Sequence, residues 1–192
     1  MSFHYDRMVI GYHGCRLAVA EGLLAGKPFS PSKNAWDWLG EGAYFWEFGY
    51  QRAADWASDR YGDDGAVVGA VIQLGNCLDL LDTRSTRALA GIYPVFASDV
   101  VERQGLELPR NRGKDADKKL RDLDCAVINF LAELAAEESQ PFDTVRGVFQ
   151  EGEPAYPGAF IRAESHIQVA VRNLDCIIGV FRPRESSTPV NP

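Results

Sequence analysis

The sequence predicts an α+β fold, and three observations carry that prediction. Apolar residues recur at the three- and four-residue steps of helices in some stretches, and form short β-branched runs in others. The early elements alternate as strand, helix, strand, helix, strand. The late strand candidates follow one another without helices between them, which argues for antiparallel pairing rather than a doubly wound parallel sheet. A chain of 192 residues can enclose one core. No internal repeat marks a second unit, so a single domain is expected over 1–183. The Pro- and Ser-rich tail over 184–192 is expected to be disordered.

Residues 8–14 (MVIGYHG) read as a strand entering a tight turn. Leu17, Ala20, Leu23 and Leu24 then place a short helix over 15–25, closed by Gly26. Two prolines, two serines and an asparagine make 27–38 a loop. The glycines Gly40 and Gly42 lead into a second strand at Ala43, Tyr44, Phe45 and Trp46, and a helix follows from Tyr50. A near-continuous apolar run over 66–81 suggests a central strand. Asp82-Thr83 reads as a helix cap, and 84–104 as helix with a break before Pro94. Leu120, Leu123, Val127, Phe130, Leu131 and Leu134 predict a long helix over 114–138. Strands are expected at 144–149, 160–171 and 176–181.

Net charge is −7, which gives no general attraction to nucleic acid. No stretch approaches the length of a membrane span, and the first residues lack the layout of a signal peptide. The expectation is a soluble cytoplasmic protein with no membrane partner, or one delivered into another cell by a route needing no signal peptide. Cys15, Cys77, Cys125 and Cys176 are far apart, form no C-x-x-C pair and suggest buried thiols rather than a zinc site. No cluster of metal ligands stands out. Only three histidines are present: His4, His13 and His166.

The chemistry-bearing stretches lie at three places. Tyr12-His13-Gly14 ends the first strand. Gly40-Glu41-Gly42-Ala43-Tyr44-Phe45 opens the second, where glycines permit close approach and a tyrosine offers a flat polar face. A strand follows these glycines, so they are no dinucleotide fingerprint of the doubly wound kind. Late in the chain, alternation places Glu164, His166 and Gln168 on one face, opposite Ile167 and Val169. Glu151 lies on the preceding loop. On their own these stretches also fit a turn into a buried strand, a structural histidine and a solvated edge.

Together, the first two motifs, in this order and with a helix between them, resemble the ADP-ribosyltransferase family in its diphtheria-toxin and poly(ADP-ribose)-polymerase branch. The likeness covers residues 1–60 well and the remainder loosely. It implies two packed, mainly antiparallel sheets with flanking helices and a central NAD cleft. It also implies release of nicotinamide as ADP-ribose passes to a macromolecular acceptor, protein or nucleic acid. By this resemblance His13 would bond the adenosine ribose, the Gly14 backbone the carboxamide, and Tyr44 would stack on nicotinamide beside Gly42. The family's third catalytic residue, usually glutamate, falls on the late strand. Gln168 is favoured because it lies deepest in the apolar part; Glu164, His166 and Glu151 stay open. Glutamine cannot serve as a general base, so a departure in acceptor activation is implied. Small transferases of this kind are often bacterial toxins, with an antitoxin or immunity protein as partner. NAD hydrolysis, NAD or partner binding without chemistry, and a structural role for His13 and Tyr44 remain alternatives.

Overall fold

The computed structural model describes residues 4–113 and 120–184. Residues 185–192 of the expected tail, and 114–119 of the expected long helix, lie outside the described residues. Six strands are present: β1 (His4–Arg16), β2 (Ala43–Glu47), β3 (Gly65–Asp79), β4 (Thr144–Phe149), β5 (His166–Val171) and β6 (Ile177–Phe181). Four α-helices accompany them: α1 (Leu17–Leu24), α2 (Tyr50–Tyr61), α3 (Thr83–Ser98) and α4 (Asp122–Glu137). The class is α+β.

The strands form one mixed six-stranded sheet in the order β1-β2-β5-β4-β3-β6, and β1 pairs with β3 as well. Among the described strands only β3–β4 is parallel. The resemblance implied two sheets; here hydrogen bonds join the strands into one. The long β3 makes this possible. Along one edge it pairs with β1 from Gly65 to Asn76. Along the other it pairs with β6 at Gly69–Ile72 and with β4 at Cys77–Asp79.

One face of the sheet carries Val9, Phe45, Val68, Ile72, Val169 and Val171, packed with Ala20 and Leu23 of α1. The other face carries Val145, Phe149 and Ala170 against Ile128 and Ala132 of α4. Phe96 and Val100 pack on Val127, tying the far end of α3 to α4.

Several boundaries differ from the sequence expectation; β1 runs on to Arg16 rather than turning at Gly14. Asp82 caps α3 by accepting from the Arg84 backbone N–H at 2.9 Å. The helix then runs through Pro94 to Ser98 without the expected break, and a π-helical turn follows at Asp99–Arg103. A proline deprives the carbonyl four residues earlier of its donor; that residue, Ala90, is exposed, where solvent can satisfy it. α4 begins at Asp122, after an Arg112–Leu120 bridge has taken the backbone of Leu120. β5 begins at His166 rather than at 160. The preceding loop is closed on itself by Ala155 N–H to Ile161 O, Ala163 N–H to Glu153 O and Glu164 N–H to Glu151 O. Those bonds leave 160–165 unavailable to the sheet ladder.

Candidate functional site

The late candidates come together on one face of the β2–β5–β4 seam. Trp46 of β2 pairs in register with Gln168 of β5. Gln168 also pairs with Gly147 of β4, and His166 with Phe149. Strand alternation therefore puts Tyr44, Trp46, Gln168, His166 and Phe149 on the same face. Glu151 and Glu164 close the loop between β4 and β5, and Arg52 reaches them from α2. One guanidinium nitrogen of Arg52 lies 2.9 Å from Glu151 Oε2 and 3.1 Å from Glu164 Oε2. The Glu151 side chain is buried, whereas Glu164 is 46% exposed.

His166 sits inside this group. Its Nδ1 donates to the Glu164 carbonyl at 2.7 Å. Its Nε2 lies 3.0 Å from the Gln168 amide nitrogen. An amide nitrogen only donates, so Nε2 accepts and the imidazole is neutral in this arrangement. Burial pushes the His166 pKa below its usual value, against the opposing pull of the Glu164 carbonyl and nearby Glu151. Glu151 Oε2 is 3.8 Å from Nδ1. Three rings surround the imidazole: Trp38 stacked at 6.2 Å, Phe149 at 5.8 Å and Trp46 at 6.4 Å. The buried Trp46 indole N–H and Arg52 Nε–H meet no acceptor among the described residues.

The early candidates are placed differently. His13 extends to the opposite face, where its ring packs at 5.4 Å from Phe29 and 5.6 Å from Phe45. Its Nδ1 donates to the Tyr44 carbonyl at 2.8 Å. Burial lowers its pKa as well, opposed by that bond. The Tyr44 phenol donates to Gly40 O at 2.6 Å and accepts from Leu39 N–H at 2.9 Å, closing the turn before β2. Burial drives its pKa far up. A Cβ on Gly14 would fall 2.6 Å from the Ala53 carbonyl, so this glycine lets α2 lie against β1. Gly42 exchanges both backbone bonds with Ser32. The structure therefore gathers Glu151, Glu164, His166 and Gln168 together. Tyr44 shares their sheet face, and His13 stands apart.

Sequence reasoning missed three features here. Arg52 falls on the helix expected from Tyr50, and the sequence separation of 99 residues hides its contact with Glu151. Trp38 falls at the end of the stretch 27–38, which its prolines and serines mark only as loop. The third is a buried ion cluster on the opposite face. Arg146 grips Glu47 with two nitrogens, at 2.5 and 2.8 Å, and meets Asp79 Oδ2 at 3.1 Å. All three side chains are buried. Its signal was an arginine within the apolar strand Thr144–Phe149, since a charge in such a place needs a partner.

Among the described residues no group of three or more His, Cys, Asp or Glu side chains is arranged to hold a metal ion. No helix among them is long and apolar enough to cross a membrane. Comparison with protein-family models, curated proteins and solved structures matches this chain to none of them.

Proposed function

We propose that the protein breaks the N-glycosidic bond of NAD and passes ADP-ribose to a macromolecular acceptor. What supports this is the convergence of Glu151, Glu164, His166 and Gln168 with Arg52 on one ring-walled face, together with the sequence resemblance to ADP-ribosyltransferases at residues 12–14 and 40–45. Cleavage of this bond builds positive charge on the ribose, as in other glycoside cleavages, and carboxylates stabilise such charge. The bonding pair leaves with nicotinamide, and an acceptor oxygen or nitrogen bonds to the ribose carbon as its proton departs. Glu164 is the exposed carboxylate and takes that proton. Glu151, shut behind, fixes Arg52. Gln168, whose amide is engaged by His166, positions the imidazole rather than acting as a base.

A second reading is binding without chemistry. It draws on the engagement of both early candidate side chains inside the fold, His13 with a carbonyl and Tyr44 with the turn at Gly40. Incubation with labelled NAD and a whole-cell lysate separates the readings. Label on a macromolecule with free nicotinamide supports transfer, and label only in free ADP-ribose supports hydrolysis. Bound but uncleaved NAD supports a binding module, and no bound NAD removes all three.

A further inference from the structure

On the same face as the carboxylate group, β4, α3 and α4 enclose a recess of about 370 Å³. Its wall nearest the candidate site is the Trp38–Phe149 pair, with ring centroids 4.6 Å apart. Both of these rings also lie against His166, so the recess and the His166 group share one aromatic partition. The remaining wall is aliphatic and aromatic, with Leu89 and Tyr93 from α3 and Val127 and Ile128 from α4. The charged lining residues are Arg121 and Asp124. Arg121 holds its guanidinium over the Trp38 and Phe149 rings, 5.0 and 5.4 Å from their centroids. Asp124 stands 3.3 Å from Arg121 and is 40% exposed, which puts this pair at the mouth.

We propose that this recess binds a planar nitrogen heterocycle whose edge carries a donor beside an acceptor. Tyr93 with Leu89, Val127 and Ile128 offers a ring an apolar bed beneath the Arg121 guanidinium, and the volume lies within the range of small-ligand sites. At the mouth, an N–H of the ligand meets the Asp124 carboxylate and a carbonyl or ring nitrogen meets the Arg121 guanidinium. The opposite charges of this pair select a neutral edge with both functions over a simple anion or cation. A carboxamide-bearing pyridine and an aminopurine both have this chemistry. The identity of the ring rests on the NAD reading, in which nicotinamide or adenine would occupy the recess; the recess itself does not.

The test is calorimetric titration of the full chain with nicotinamide and, separately, with AMP, followed by NAD cleavage assays on the same variants. Ala90 lines the recess yet is exposed, so Ala90→Phe fills the space without disturbing the core. One of the two ligands binds with a single site. Ala90→Phe weakens it by about tenfold or more, a large effect on the affinity scale. Arg121→Met and Asp124→Asn each weaken it by a smaller factor. Binding of neither ligand, or binding unchanged by Ala90→Phe in a normally melting protein, overturns the proposal. Normal NAD cleavage by an Ala90→Phe protein that has lost ring binding upholds the recess but takes it out of the NAD site, leaving the NAD reading intact. Ring binding that Ala90→Phe abolishes, in a protein that neither binds nor cleaves NAD, upholds the recess and removes the NAD reading.

Discussion

His13 and Tyr44 meet across β1 and β2 through side chain and backbone: the His13 imidazole donates to the Tyr44 carbonyl at 2.8 Å, while the phenol leaves the other face of its strand. The two motifs carrying the family resemblance therefore brace one another. The phenol in turn holds the backbone of Leu39 and Gly40. Tyr44→Phe keeps the ring and strips both bonds. It is expected to cost about 1–3 kcal/mol, the penalty for leaving buried polar groups unmade. Urea unfolding checks this, and unchanged stability would show the turn held by other means.

Arg146→Met leaves two carboxylates facing each other in a dry place. The expected loss is about 3–5 kcal/mol. Adding Glu47→Leu and Asp79→Leu should restore much of it, because the attraction within such a cluster largely offsets its desolvation. Thermal melts of the single and triple variants decide the matter, and a triple variant no better than Arg146→Met contradicts it.

Both buried histidines make the protein sensitive to acid. Their folded pKa values lie below the ordinary 6.5, so the unfolded chain binds more protons as pH falls past that value. Their contribution is complete above about pH 6.5 and is lost as pH falls through the folded values. Urea midpoints should therefore drop between pH 7.5 and pH 5.5. His166→Gln should shrink that drop. Protonated His166 would also force the Gln168 amide to turn and offer its oxygen. An equal drop in the variant would assign the effect elsewhere.

For catalysis the expected order is Glu164 before Gln168. Glu164→Gln should lower nicotinamide release by about 10²-fold or more, the scale of a lost general base. Gln168→Ala should have a smaller effect, with a shifted pH profile, because it frees Nε2 of His166. Glu151→Gln should unfold more readily, since Arg52 then loses its buried partner. Full release by all three variants would place the chemistry elsewhere.

What was legible in the sequence was local. The strand at Ala43, most of the long strand expected over 66–81 and the Asp82 cap follow from neighbouring residues, and the structure has them. His166 and Gln168 share a face because strands alternate, and that too could be read in advance. The start of β5 and the passage of α3 through Pro94 depended on loop bonds and exposure, which composition does not encode. Arg52 with Glu151, and Arg146 with Glu47, each join residues 99 positions apart. Only tertiary pairing brings such charges within reach, so no periodicity announces them. Glu164, placed on the strand by alternation, stands on the loop just before it.

The pairings β1–β2, β2–β5, β5–β4, β4–β3 and β3–β1 return to their starting point. The strand inserted between β2 and β4 is β5, which is synthesised after both. Until it arrives, β2 and β4 keep facing edges with unmet hydrogen bonds, the kind of edge that recruits other chains. The same segment delivers Glu164, His166 and Gln168. A nascent chain, or one cut before residue 166, thus has neither its seam nor its candidate chemistry. Sealing of the sheet and assembly of the site are one event.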